Sequence, residues 1–165
     1  MSTFSAPSQD NNYLEDHIQL ICQSFQQVVG KPFPGDSNIE SLWPDGEDSL
    51  AKAIYYAPFM VVSHNTATDP VFNYGNQTAL DLFEMTWDDF TKLPSRQSAE
   101  RPNQEERSRL LHMVSTQNYI TNYSGIRISK TGKRFYIKDV TVWNLMDVQQ
   151  NYCGQAAVCS QWTYL

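Results

Sequence analysis

The chain has 165 residues, 41% hydrophobic and 13% aromatic, with a formal charge of −6 at pH 7. At roughly 100–200 residues per domain this is one domain with enough apolar material for a core, which excludes a disordered chain and removes the need for metal or disulfide staples. The acidic balance argues against nucleic-acid binding, and no apolar run approaches the ~20 residues of a spanning helix, which argues against a membrane protein.

The charge is unevenly placed: residues 1–100 hold 14 acids and 4 bases, residues 101–165 hold 4 acids and 8 bases. The first residues show no basic region followed by an apolar stretch, so no signal peptide is expected. Cys22, Cys153 and Cys159 form no CxxC pair. If Cys153 and Cys159 share one strand they stand ~20 Å apart, beyond disulfide reach. Free thiols in a reducing cytoplasm are the expectation.

In chain order, residues 1–10 are polar and expected to fray. Leu14, Ile18, Ile21, Phe25 and Val28 then recur at helical spacing. They predict an amphipathic helix capped by Asp10 or Asn11 and stopped by Gly30 and Pro32. Such a stripe must be covered, either by the chain's own domain or by a second copy. In the second case Leu14, Ile18, Ile21 and Phe25 are the partner-binding residues of a homodimer. Residues 30–48 read as a connector pinned by Trp43, so the chain divides into a helix and connector (1–48) and a folded domain (49–165).

A short helix is expected over 47–56, a strand over 59–64, a turn over 65–70 and a second strand over 71–74, broken at Gly75. Asn76 caps a helix over Ala79, Leu80 and Phe83, and Thr86 with Asp89 opens another over Trp87, Phe90 and Leu93. After a loop, Asn103 with Glu106 opens a helix over Leu110, Leu111 and Val114. The last third reads as strand: 119–129, a tight turn at 130–133, 134–145, and 155–164. By strict alternation Phe135, Ile137, Trp143 and Leu145 point one way and Tyr136, Val140 and Val142 the other. A sheet with one wet face alternates more cleanly, so part of the second face is covered, and the N-terminal helix is the available cover. The order predicts an α+β fold: a five-stranded antiparallel sheet with short helices on one face and an N-terminal helical extension, an arrangement that looks like the PAS fold.

The residues also resemble one PAS-like family, the MEKHLA domain. The matching blocks are the run from Phe72 to Glu84 (FNYGNQTALDLFE), that from Thr86 to Arg96 (TWDDFTKLPSR), that from Tyr123 to Ser129 (YSGIRIS), Arg134-Phe135, Val140 to Leu145 (VTVWNL), and Gly154 to Ala157 (GQAA) followed by Trp162. They extend from about Leu50 to Tyr164. Such domains occur at the C-terminus of plant class III homeodomain-leucine zipper transcription factors and as free-standing proteins, chiefly in cyanobacteria. Without a homeodomain this chain looks free-standing. The resemblance implies a sensory or regulatory role and leaves the ligand open.

Catalytic patterns are absent. There is no Gly-x-Ser-x-Gly, GxGxxG or Walker motif. The pairs Asp88-Asp89 and Glu105-Glu106 sit where carboxylates favour a helix dipole. His112 lies on the helix where some PAS domains carry a heme ligand, but it is off the apolar stripe, which argues against heme. No cysteine has the Asn-Cys-Arg context of LOV-type flavin photochemistry. Arg127, Lys130, Lys133, Arg134 and Lys138 gather on one hairpin, either as a solvated edge or as a site for an anion or acidic partner. A PAS-like pocket is expected to draw on His64, Trp87, Arg96, Tyr123 and Trp143. The resulting reading is a cytoplasmic, non-enzymatic sensory or regulatory domain that binds a small, largely apolar ligand and signals through helix-mediated contacts. The alternative is a ligand-free interaction or dimerisation module, which takes precedence if no cavity of roughly 300 Å³ is present.

Overall fold

Residues 4–35 and 49–165 are described by a computed structural model, and Trp43 with most of the expected connector lies outside them. Helix α1 spans Glu15–Val29 and α2 Leu50–Tyr55. Strands β1 (Met60–His64) and β2 (Phe72–Gly75) precede α3 (Gln77–Phe83), α4 (Trp87–Phe90) and α5 (Arg101–Gln117). The chain ends in β3 (Tyr119–Ile128), β4 (Arg134–Met146), β5 (Tyr152–Cys159) and β6 (Gln161–Tyr164). The sheet is antiparallel, with path β2-β1-β5-β4-β3. The strand expected over 155–164 begins three residues earlier and breaks at Ser160. Its first part pairs with Thr141–Met146 of β4 and its second with Phe135–Lys138, so the sheet has six strands by count.

Two irregularities govern which face each side chain meets. Tyr123 pairs with Val140 and Gly125 with Ile137, so β4 carries an extra residue there, and Asp139 takes φ 56°. Between Ile120 and Tyr123 the extra residue is on β3, where Asn122 takes φ 58°. Such bulges displace the alternation that follows them. Ile137, Val140 and Val142 therefore share one face with Phe135, which packs edge-on against Phe83 of α3 at 5.3 Å. Trp143 stands on the other face, under α1. This corrects the strict alternation, which placed Trp143 with Phe135 and Ile137.

Helix α1 is the cover on that second face. Leu14, Ile18, Ile21 and Phe25 are all buried within their own chain. The stripe is thus spent on the sheet and is not free for a second copy in this conformation. Trp143 Nε1 donates to the Ile21 carbonyl at 3.2 Å, and its ring meets Phe25 edge-on at 4.9 Å. Ser24 Oγ donates to the Met146 carbonyl and accepts from Met146 N–H, clamping the helix to the end of β4. Gly30 ends α1 with φ 82°, as expected, but the helix begins later than Asp10 or Asn11. Asn12, Tyr13 and Leu14 are left-handed, and Asn11 is used in a turn with Ser8 and Ala6. The segment before α1 is docked from Phe4 onward, where fraying was expected. Trp87 Nε1 donates to the Phe4 carbonyl at 2.9 Å, and the Phe4 ring packs on His17.

His17 is a polar contact in this layer. The Ser63 hydroxyl donates to Asn73 Oδ1 at 2.6 Å and so accepts from His17 Nε2–H at 2.9 Å. Tyr74 packs beside it, and the Tyr74 hydroxyl has no hydrogen-bond partner among the described residues. Burial lowers the His17 pKa to about 4. Directly after β2, Asn76 is fully buried. Its Oδ1 accepts from Val61 and Ala79 N–H, and its Nδ2 donates to the Ile54 and Phe59 carbonyls. The expected helix cap thus also fixes α2 and β1.

Two outcomes follow from α1. Ile21→Asp places an unpaired charge at a fully buried site and is expected to cost several kcal/mol, read by urea unfolding. A variant with an unchanged midpoint contradicts the packing. His17 is neutral in the folded chain and protonates more readily when unfolded. Its share of stability is therefore whole above pH ~6.5 and falls as the pH drops towards about 4, by up to about 3 kcal/mol. Denaturation midpoints between pH 7 and pH 4.5 should fall less steeply in His17→Gln.

Candidate functional site

The sheet face away from α1 is covered by α3, α4 and α5, and between it and α5 lies a cavity of about 70 Å³. Its walls are mostly apolar, with Met60, Phe72, Leu110, Val140 and Val142 prominent. The polar groups reaching it are fewer: His64, Arg107, Tyr123, Arg127 and Gln155. A ligand pocket of ordinary size is roughly 300 Å³ or more, so this cavity does not admit a ligand of indole, flavin or heme size. The expectation of a pocket of that ordinary size is corrected by the volume.

The unusual feature is two buried arginines on the cavity wall, each only 7% exposed. Arg107 comes from the first turns of α5, on the stripe continued by Leu110 and Val114. Its Nη2 donates to Ser95 Oγ at 2.7 Å. Ser95 is held in turn by the bond from its N–H to the Pro70 carbonyl. Arg127 comes from β3, two positions beyond Gly125 and four beyond Tyr123. Its Nη2 donates to the Tyr123 hydroxyl at 3.1 Å, its Nη1 donates to the Ile126 carbonyl, and the guanidinium lies over the Tyr123 ring. Gly125 makes this possible: a Cβ there would stand 2.5 Å from the Tyr123 hydroxyl and 3.1 Å from Arg127 Nη1. Burial, with the neighbouring Arg127 charge, lowers the Arg107 pKa to about 10.

His64 and Gln155 complete the polar wall from β1 and β5. His64 Nδ1 lies 2.9 Å from the Asn65 carbonyl, and burial lowers its pKa. His64 Nε2 and Gln155 Oε1 make no hydrogen bond of ordinary geometry among the described residues, but the two side chains interact, Gln155 raising the His64 pKa against the effect of burial. The Gln155 amide donates to Asn144 Oδ1 at 3.0 Å, which orients the side chain. Gly154, with φ 128°, lets β5 approach β1 here, because any Cβ would collide with the His64 carbonyl oxygen.

Of the five expected pocket residues, His64 and Tyr123 line the cavity and three do not. Trp143 is on the opposite face. Trp87 sits at the β2 edge against Tyr74 and Phe4. Arg96 is half-exposed and paired with Asp69 at 3.1 Å, outside the cavity. Arg107 and Arg127 supply the charge that Arg96 was expected to bring. Arg107 was legible as a charge on an apolar helical stripe, whereas Arg127 was grouped with the hairpin bases. Lys130 pairs with Asp89, Lys133 with Glu84 and Arg134 with Glu100. Glu84 also accepts from the Ser129 and Thr131 hydroxyls, which together hold its carboxyl below the usual range. These hairpin bases are thus met by acids of the same chain.

Heme and a flavin adduct do not fit the residues present. His112 is exposed on α5, away from the cavity, and none of Cys22, Cys153 and Cys159 lines it. Burial pushes the Cys22 thiol up to about 12 and raises that of Cys159. Among the described residues no three His, Cys, Asp or Glu side chains cluster as metal ligands, and no helix is long and apolar enough to cross a membrane.

The profile of the MEKHLA domain matches residues 15–164 and so takes in α1 as well as the sheet. The homeobox-leucine zipper protein ATHB-14 of Arabidopsis thaliana is 23% identical over 120 residues, 72% of this chain. The matched stretch is 13% of that protein's length. Among solved structures, a PAS domain from Colwellia psychrerythraea superposes with a TM-score of 0.57 at 15% identity, over 66% of this chain and 90% of that one. The dark structure of the blue-light photoreceptor Aureochrome1 LOV gives 0.54 at 18% identity, over 72% and 86%. These likenesses show the PAS fold.

A buried guanidinium without a carboxylate is costly, and an apolar side chain of similar length removes that cost. Arg107→Met is expected to raise the unfolding free energy by about 1–2 kcal/mol in urea titrations. A fall of similar size would show Arg107 to be a structural residue.

Proposed function

The chain belongs to the MEKHLA domain family, and from that premise we propose a regulatory domain without enzymatic activity, in which a small ligand in the cavity under α5 is read out through protein contacts. The observation that carries this reading is the polar wall. Two guanidinium groups meet in one apolar cavity with His64 Nε2 and Gln155 Oε1, which make no hydrogen bond of ordinary geometry among the described residues, and buried polar groups without one are rare in a purely structural core. Helix α5 links that site to the surface. Arg107, Leu110 and Leu111 form a wall, while Glu105, Arg109 and His112 on the same helix face solvent. A ligand that alters the seating of α5 alters the surface offered to a partner. The proposal includes a cytoplasmic setting, which three free thiols support.

At about 70 Å³ the cavity fails the ~300 Å³ criterion, which by volume alone gives precedence to the ligand-free interaction module; the polar wall supports the ligand reading only for a molecule of a few heavy atoms. Native mass spectrometry of the purified full chain separates the two, together with thermal shifts against a library of small metabolites. The sensing reading expects a retained mass far below that of a flavin, or saturable stabilisation near ~2.7 kcal/mol at 100 times the dissociation constant. Flavin mononucleotide and heme should leave the melt unchanged. A bare chain whose melt no compound shifts supports the interaction module.

A further inference from the structure

We propose that the cavity under α5 binds a small organic carboxylate, clamped between Arg107 and Arg127. This rests on the reading of that cavity as a ligand site and names the chemistry of its occupant. Each guanidinium carries five N–H donors and a permanent charge. Arg107 makes one hydrogen bond to a neutral hydroxyl, and Arg127 makes two, to a carbonyl and a phenol. No carboxylate pairs with either among the described residues. The acids around the site are engaged elsewhere: Asp69 with Arg96, Glu84 with Lys133, Asp89 with Lys130, Glu100 with Arg134. Two like charges thus face one cavity, each 7% exposed, with no carboxylate in direct contact among the described residues; Asp69, already paired with Arg96, reaches Arg107 only through its field. An isolated buried charge is expensive, so the missing partner is an anion that arrives with the ligand.

The walls narrow its chemistry. A planar carboxylate matches the guanidinium fork by paired hydrogen bonds. The remaining wall, from Met60 to Val142, is apolar and suits a short hydrocarbon chain. The volume of about 70 Å³ limits the ligand to a few heavy atoms.

The test uses the full chain in thermal melts and calorimetric titrations with sodium acetate, propionate, lactate and phosphate, against sodium chloride at matched ionic strength. A saturable rise in Tm with propionate or lactate, absent with chloride, is the expected result. Arg107→Gln and Arg127→Gln should each weaken it about tenfold or more. Arg96→Gln, which removes only an exposed pair, should leave it unchanged. If Arg127→Gln fails to fold, Arg107→Met carries the comparison. Equal binding in wild type and arginine variants overturns the proposal, as does saturation by phosphate with every carboxylate silent. A neutral molecule that stays bound through purification in the arginine variants also overturns the carboxylate while leaving the sensing function standing. A chain with no retained ligand and no saturable shift removes both.

Discussion

One bulge on β4 sets up both layers of this protein. Asp139, in left-handed backbone, shifts the alternation of the strand by one residue between Ile137 and Val140. Ahead of it Phe135 and Ile137 face the helices that cover the cavity. Beyond it Val140 and Val142 stay on that face, while Trp143 and Leu145 turn to the other. A single strand therefore supplies the cavity wall and the anchor for α1. Without the extra residue, one of these sets would be driven to the wrong layer, since a one-residue slip exchanges the faces of a strand. Asp and Asn are the non-glycine residues that most readily take this backbone conformation, and they stand at 139 and 122.

The two layers are held differently. On the α1 side the contact is aromatic and aliphatic, with few polar bonds: Trp143 to Ile21, Ser24 to Met146, His17 to Ser63. On the cavity side Phe72 and Phe135 of the sheet pack against Phe83 of α3 and Phe90 of α4, and exposed ion pairs are added to this packing. The acids that make residues 1–100 strongly negative meet the bases that make residues 101–165 positive, across the hairpin at 130–133. These pairs are solvent-exposed, and such pairs contribute little each, typically 0–1 kcal/mol. Their use is orientation: they hold the hairpin against α3 and α4, which fixes the lower end of β3 and with it Arg127.

The cavity departs from the rest of the core. Elsewhere Asn76 is satisfied by four backbone partners, although the buried Tyr74 hydroxyl on the α1 side also lacks a partner among the described residues. At the cavity two guanidinium groups lack carboxylates, and His64 Nε2 and Gln155 Oε1 make no hydrogen bond of ordinary geometry among the described residues. A core optimised for stability alone would fill that space with aliphatic side chains. A concentration of charged and unpaired polar groups in one apolar cavity is the feature on which the proposed ligand site rests. The fold is common to the solved PAS and LOV structures, and a shared fold does not carry a ligand or a function with it.

The sequence by itself determined the main elements, their order and several of their ends, because these rest on local chemistry, but not the start of α1 or the break at Ser160. Asn76 and Thr86 cap helices through their own side chains, Gly30 ends α1, and the apolar spacing from Leu14 to Phe25 forms a stripe wherever the helix lies. The blocks from Phe72 to Trp162 likewise carried the family. Only the tertiary structure decided which face Trp143 joins, since a bulge is a property of two paired strands and leaves no mark in the period of one. Only it decided that Arg127 is buried while Lys130, Lys133 and Arg134, close by in the chain, are not. Burial of a long charged side chain depends on what stands opposite it. Here that is Tyr123 over a glycine, Arg107 from a helix some twenty residues earlier, and His64 from a strand at the far side of the fold.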